Sequence, residues 1–556
     1  MGHGEKESSR GFTYVTTYLG FAILSLFGHF RDFFGKLFGA GRYFGPTGAP
    51  TAKGYAPLLQ DWEHFFTRRL YHRIQDCWNR PIAGPPYSNR LPVLLRTSDN
   101  GNKTMRLVTA DSSSSAEKQE GEPQHSVQEC INLGSYNYLG FADDWGRTCR
   151  EGVLKTQDAF PTSLCTSSAE GGYTTLHRDL EALVASFVGK EAACVFNMGW
   201  ATNALGLPAL FGGKGTLIVS DSLNHNSIVA GARTSGAVVR VFRHNDSLSL
   251  QKLLRAAIRD GQERTHRPWR RILVAIEGIY SMEGEFCKLA EIVRVAKAHK
   301  AYVYLDEAHS IGATGLTGRG VCEHTGVDPR DVDVLMGTFT KSFGAMGGYI
   351  AADKATVALI RRRSAGFLTD NAMAPGVAQQ VFSAFKVMLG RDGTKIGAEK
   401  LSALRDNANY FRKRLVDMGC DILGEPDSPV IPMLIYNPTK LAAFSRMCLE
   451  RGVRCCWAEP LPPLSLRGAG GRGVCAFTFF CCHLPLLSPP YHITPPLPPS
   501  PPLTRTTACG GCCWLPCNAP AHLPGALLCV CGAHTREPRQ GPGDFRGGCR
   551  CAQAAL

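Results

Sequence analysis

Between residues 190 and 355 short apolar runs recur along the chain, and each closes on a polar or small residue: "AACVFN", "GTLIVSD", "AVVRVFRH", "RILVAIEG", "AYVYLDEAH", "DVLMGTFT" and "GGYIAAD". The runs are rich in β-branched and aromatic residues, and most are too continuously apolar for a half-exposed strand. Longer stretches with helical periodicity separate them. That alternation predicts an α/β fold whose mostly parallel sheet is covered by helices on both faces. In such a sheet ligands bind beyond the carboxyl ends of the strands, so the polar residues that close the runs are the ones to search for chemistry.

The flanks have different patterns. Residues 14–30, "YVTTYLGFAILSLFGHF", hold no acid or base before Arg31, and a stretch of basic and aromatic residues follows, "RDFFGKLFGAGRYFG". A membrane helix at residues 14–30 is expected, with a signal peptide or a buried helix as rival readings. Residues 58–80 alternate aromatic and charged positions at helical spacing before Pro81 and predict an amphipathic helix, whereas "DSSSSAEKQEGEPQ" predicts an exposed loop. Beyond about residue 390, a helical stretch, the run "DSPVIPMLIYN" and a second helical stretch open a smaller α+β domain. From residue 455 prolines and cysteines crowd in and no strand or helix is expected to continue, because proline removes donors and stops both structures. The chain therefore divides into an anchoring segment (1–45), a helix and linker region (46–129), a large domain (130–390), a partial small domain (391–454) and a Cys/Pro-rich tail (455–556) read as disordered or aberrant.

Composition sharpens this only in part. With 44% hydrophobic and 19% charged residues the chain is globular, and a net charge of +14 suits an anionic neighbour or a solvated surface. Of the 22 cysteines, nine are scattered before residue 455 without close pairs, which fits a reduced, cytosol-facing protein rather than a disulfide framework. The other thirteen lie in the tail, where no convincing paired ligand motif for a metal occurs.

Chemistry gathers at the run ends. In "GTFTKSFGAMGGYI", residues 337–350, Lys341 sits among Thr338, Thr340 and Ser342, hydroxyls able to bind a phosphate. Gly344, Gly347 and Gly348 let backbone approach a ligand. "YLDEAHSIGATGLTGRG" ends a run on Asp306, with His309 three residues later, and "DSLNHNSIVAG" supplies His225, a ring able to stack on a flat heterocycle. Taken singly, each has a plain structural reading. A buried aspartate that keeps a pyridine nitrogen protonated, a stacking imidazole and a lysine about 35 residues after the aspartate together ask for pyridoxal phosphate (PLP) held through the lysine.

"INLGSYNYLGFA", "EGIYSMEG", "WNRPI" and the segments just quoted are together similar to the α-oxoamine synthase family of fold-type-I PLP enzymes. Within it they resemble the catalytic long-chain-base subunits (subunit 2) of serine palmitoyltransferase, over residues 11–454. The resemblance implies that Lys341 binds the cofactor aldehyde and acts as base, that Asp306 faces the pyridine nitrogen, and that His309 contacts the ring-hydroxyl side while His225 stacks. It implies that Thr338, Thr340, Gly199 and Trp200 lie at the phosphate and that Ser281 and Tyr138 lie near the substrate. The implied reaction condenses L-serine with palmitoyl-CoA, loses carbon dioxide and yields 3-ketosphinganine, the first step of sphingolipid biosynthesis. Long-chain-base subunit 1, which lacks the lysine, is the implied heterodimer partner. The endoplasmic reticulum membrane, with the catalytic domain facing the cytosol, is the implied location; no metal and no nucleic acid are expected. A condensing enzyme using glycine or alanine, or a truncated non-catalytic paralogue, would share many of these features.

Three departures from the family pattern stand out. Ser168 occupies the segment where relatives carry an arginine, and "FLTDNAMAPGV" is poorer in hydroxyls than the family pattern. The strand after "RGVR" runs into the tail, where the family has an arginine for the amino-acid carboxylate. Only a faint echo, "GAHTRE" at residues 532–537, follows.

Overall fold

The computed structural model describes residues 3–37, 72–77, 79–86, 88–99, 102, 104–109, 125–436, 438–457 and 476–480. Most of the helix expected over 58–80, the loop "DSSSSAEKQEGEPQ" and nearly all of the tail lie outside them.

On the N-terminal side, β1 (Arg90–Leu94), a short antiparallel pair of β2 (Arg96–Thr97) and β3 (Arg106–Leu107), and β4 (Val127–Leu133) precede the large domain. The seven apolar runs then form β5 (Ala192–Phe196), β6 (Thr216–Asp221), β7 (Val238–Phe242), β8 (Arg271–Glu277), β9 (Tyr302–Asp306), β10 (Val334–Thr338) and β11 (Gly348–Ala352), as the pattern predicts. They make one sheet in the order β5-β11-β10-β9-β8-β6-β7, parallel except for β11. β6, β10 and β11 are buried at every position, as strands covered on both faces must be.

Register does the positioning. Asp306 stands opposite Glu277 of β8 and Met336 of β10, Thr338 stands opposite Gly348, and Gly348 opposite Phe196. The carboxyl ends of β5, β8, β9 and β10 therefore share one edge. Helix Pro375–Met388 covers that end through Phe385, whose ring lies 4.4 Å from Phe343 and 4.9 Å from Phe187. Phe339 and Phe343 flank Lys341 and are fully buried, so each contributes about 1.5–3 kcal/mol to fixing the lysine turn.

The second sheet has the order β1-β4-β13-β14-β12, with β12 at Val430–Leu434, β13 at Val453–Trp457 and β14 at Ala476–Phe480. Its strands come from both sides of the segment expected to form the small domain. β1 and β4 lie on the N-terminal side of the large domain. The tail also supplies a strand, because "AFTFF" is a proline-free run of β-forming residues that pairs antiparallel with both β12 and β13. Helix Ile396–Asp417 packs Leu401, Leu404 and Leu415 inward. Its buried Arg412 donates to the carbonyls of Leu423 (2.6 Å), Ser428 (3.3 Å) and Val430 (3.0 Å), which tie the turn before β12 to the helix.

The N-terminal expectation is also corrected. Residues 14–30 belong to a longer helix, His3–Leu37, but among the described residues no helix is long and apolar enough to cross a membrane. Thr16, Gly20, Ser25, Gly28 and His29 dilute its hydrophobicity. It nonetheless leaves Leu19, Ile23, Leu24, Leu26, Phe27, Phe30 and Phe33 exposed.

Candidate active site

At the carboxyl edge three side chains form a continuous hydrogen-bonded line. Lys341 Nζ lies 2.8 Å from His309 Nε2, and His309 Nδ1 lies 2.8 Å from the Tyr138 hydroxyl. His309 and Tyr138 are buried, whereas Lys341 is half-buried and lies 5.6 Å from the centre of the exposed Tyr136 ring. Burial holds the Lys341 pKa down at about 8 against the opposing pull of Asp306 and Glu277. Burial, with Lys341 and His225 nearby, also keeps His309 neutral by lowering its pKa well below the usual value. While Lys341 is protonated it donates to Nε2, which leaves the imidazole proton on Nδ1 to be donated to Tyr138.

The lysine turn is held from several sides. The Tyr138 amide donates to the Lys341 carbonyl (2.9 Å), the Ser342 hydroxyl to the Ile311 carbonyl (2.7 Å), and the Gln380 amide to the Phe343 carbonyl (3.2 Å). At its end Gly347 has φ +93°, and a Cβ there would stand 2.4 Å from the Phe196 carbonyl oxygen. Only glycine fits that crossing.

Asp306 ends β9 with both oxygens engaged by neutral donors. Oδ2 accepts from Asn203 Nδ2 (2.7 Å), and Oδ1 accepts from the Ala308 amide (2.8 Å). Its neighbour Glu307 turns away and accepts from the Val321 amide (2.9 Å), so alternation along the chain separates the acid of the site from a structural one. His225 caps helix Asn226–Thr234 and is solvent-exposed. Its Nδ1 faces the Ser227 hydroxyl (2.7 Å), and its backbone amide donates to Glu277. Glu277 is buried, and that burial beside Asp306 raises its pKa well above the usual carboxylate value.

Gly199 opens helix Gly199–Phe211, where Met198 provides no side-chain cap. The first-turn amides therefore suit an anion. A Cβ at Gly199 would lie 3.1 Å from Thr338 Cγ2 and 3.3 Å from the Gly347 carbonyl oxygen, so backbone and lysine turn meet closely there. The Thr340 hydroxyl donates to that of Thr338 (3.2 Å), and Trp200 is exposed beside them. A helix N-terminus with hydroxyls, an amine at about pH 8 and a buried carboxylate without a cationic hydrogen-bond partner match the phosphate, aldehyde and ring nitrogen of PLP.

Lys341, His309, Tyr138, Asp306, Thr338, Thr340 and Gly199 are thus brought to one edge, with His225 joined through Glu277. Ser281 is half-buried in the turn after β8 and is not hydrogen-bonded to this group. Tyr138, expected near the substrate, is fully buried and engages His309. Sequence reasoning passed over Asn203, Glu277 and Tyr136. Asn203 closes the stretch "NMGWATN" and Glu277 closes β8, the strand-end signal that singled out Asp306. The two segments that depart from the family pattern meet each other: Ser167 bridges Asn371, and the Ala372 amide donates to the Thr166 carbonyl (3.0 Å).

A depressed lysine pKa has a measurable consequence. Only the neutral amine attacks an aldehyde, so the rate of PLP capture by the PLP-free protein should rise about tenfold per pH unit below about 8 and level off above it. Stopped-flow absorbance against pH checks this; a midpoint near the ordinary lysine value would show that burial does not act on Lys341.

Residues 128–463 match the family model for aminotransferase class I and II. The chain is 50% identical over 460 residues to long chain base biosynthesis protein 2d of Oryza sativa subsp. japonica, covering 82% of this chain and 88% of that protein. It is 47% identical to serine palmitoyltransferase 2 of Dictyostelium discoideum, covering 78% and 84%. Among solved structures, a serine palmitoyltransferase from S. paucimobilis with bound PLP–myriocin aldimine superposes with a TM-score of 0.57 at 28% identity, covering 65% of this chain and 85% of that one. With this fold, this strand-edge site and identity of that extent, the chain belongs to the long-chain-base biosynthesis protein 2 family of serine palmitoyltransferase subunits, within aminotransferase class I and II.

Proposed function

We propose that this chain is the PLP-dependent catalytic subunit of serine palmitoyltransferase, which condenses L-serine with palmitoyl-CoA and releases carbon dioxide and CoA. The observation that carries the reading is the 2.8 Å contact of Lys341 with His309 at the strand edge that ends in Asp306. Bound there, PLP supplies an electron sink for the charge that develops at the serine α-carbon. Lys341, held near pH 8, is available both to hold the cofactor aldehyde and to take the α-proton onto Nζ. Asp306 would accept a hydrogen bond from the ring nitrogen and so hold that nitrogen protonated. His309 would serve as a neutral donor or acceptor toward the ring hydroxyl, the first-turn amides from Gly199 and the Thr338 and Thr340 hydroxyls would hold the phosphate, and the open face of His225 would receive the ring.

The resemblance extends the reading to a heterodimer with long-chain-base subunit 1. It also supports location at the endoplasmic reticulum membrane with the catalytic domain in the cytosol, and the exposed Leu, Ile and Phe side chains of helix His3–Leu37 suit an apolar surface. Co-expression with that partner, followed by assay of carbon dioxide and 3-ketosphinganine from serine and palmitoyl-CoA, tests the function. Product that disappears in Lys341→Ala supports it. A PLP-loaded, assembled protein that makes none is a non-catalytic member of the family.

A further inference from the structure

We propose that Asn203 is a positioning residue that couples Asp306 to His225, fixing the aspartate as an oriented anion and the histidine as its Nε2-protonated tautomer through one buried amide. Asn203 is 1% exposed and sits one turn into helix Gly199–Phe211, on the side facing the strand edge. All three of its strong contacts are short. Nδ2 donates to Asp306 Oδ2 at 2.7 Å and to Ser227 Oγ at 2.9 Å, while Oδ1 accepts from the Tyr304 hydroxyl at 2.7 Å.

These partners leave no freedom to the amide. Tyr304 is fully buried on β9, two residues before Asp306, and its hydroxyl donates to Oδ1. Rotating the amide would turn its carbonyl toward the Asp306 carboxylate and its amino group toward the tyrosine proton, two repulsive contacts in place of two hydrogen bonds. The tyrosine thus sets the amide, and the amide sets the carboxylate. With the Ala308 amide on Oδ1, each oxygen of Asp306 holds one neutral donor and keeps lone pairs for a charged one.

The other branch runs outward. Ser227 Oγ accepts from Asn203, so its own proton is free for His225 Nδ1 at 2.7 Å, and the Ser227 amide points at the same nitrogen from 3.2 Å. A nitrogen facing two donors carries no proton; the ring is therefore neutral with its hydrogen on Nε2. One side chain thereby governs both groups assigned to the pyridine ring, the acid at its nitrogen and the imidazole on its face.

The inference rests on the PLP reading of the site, and two isotopic readouts keep the two separable. In protein loaded with PLP labelled with 15N at the ring nitrogen, the wild type should show a protonated nitrogen. Asn203→Ala should change that signal, because Asp306 then loses one of the two neutral donors that orient its carboxylate toward the ring nitrogen. In PLP-free protein, side-chain 15N shifts should show His225 protonated on Nε2 in the wild type and a mixture of tautomers in Asn203→Ala. Turnover should fall about tenfold while the serine KM stays within about threefold, the pattern of a group acting on the chemical step. Tyr304→Phe leaves both donors of Asn203 in place and should shift the ring nitrogen in the same direction by less, which serves if Asn203→Ala does not fold. Unchanged 15N signals at both the ring and His225, even alongside lower heat stability, overturn the proposal and reduce Asn203 to packing. A wild-type protein that takes up no labelled PLP refutes the cofactor reading instead, and the His225 tautomer still tests the coupling.

Discussion

Lys341→Ala is expected to abolish the visible absorbance of PLP bound to the protein and to lower product formation by at least about 1,000-fold. Two losses combine. The amine is the attachment point for the cofactor aldehyde, and the same nitrogen is the base that takes the α-proton, a role that alone contributes about 10²- to 10⁴-fold. The surroundings of the lysine prepare both. Phe339 and Phe343 bury the turn on either side, Tyr138 and Gln380 hold its backbone, and burial brings the amine pKa to about 8, so that a far larger share of it is neutral near neutral pH than for an ordinary lysine. Because those supports do not involve the amine, the variant should keep its fold, and unfolding by heat should stay close to that of the parent. Absorbance spectra of the purified variant with added PLP check the first expectation. A persistent band that borohydride reduction fixes to another residue would overturn the assignment of Lys341.

Asp306→Asn should retain bound PLP and lose most turnover. A unit negative charge about 4 Å from a ring nitrogen is worth on the order of 4 kcal/mol at the effective dielectric of a protein site, which corresponds to nearly 10³-fold in rate. The substitution keeps the shape of the side chain, but its amide can present only one acceptor oxygen. The Asn203 and Ala308 donors that now converge on two carboxylate oxygens would then meet an amino group at one of them. The ring nitrogen loses the anion that keeps it protonated, and the electron sink weakens. Turnover measured beside PLP content separates the outcomes, since a variant with full PLP occupancy and unchanged turnover would remove Asp306 from the chemistry.

The large sheet was legible because burial on both faces writes an unbroken apolar run into the sequence. The same feature exposed the site, since Asp306 and Thr338 interrupt such runs at their carboxyl ends and Lys341 follows one immediately. What the sequence hid depends on pairing across distance. Glu277 becomes part of the site because the register of β8 and β9 sets it opposite Asp306, and Asn203 reaches Asp306 from 103 positions away. For Tyr138 the motif marks the neighbourhood, but only the fold turns its hydroxyl onto His309. At the N-terminus the helix was readable and its capacity to span a bilayer was not met among the described residues. In the tail, the density of proline and cysteine masked a five-residue run that forms β14.

That strand also governs how the small sheet is closed. Among the described residues β14 is the strand that joins β12 to β13 and, through it, to β4. A chain stopped at Trp457 would therefore strip β12 of its ladder to β14 and leave the facing side of β13 unpaired, two open edges in addition to those of the outer strands. Open edges template pairing between molecules, so the segment that looks most dispensable by composition guards the protein against self-association.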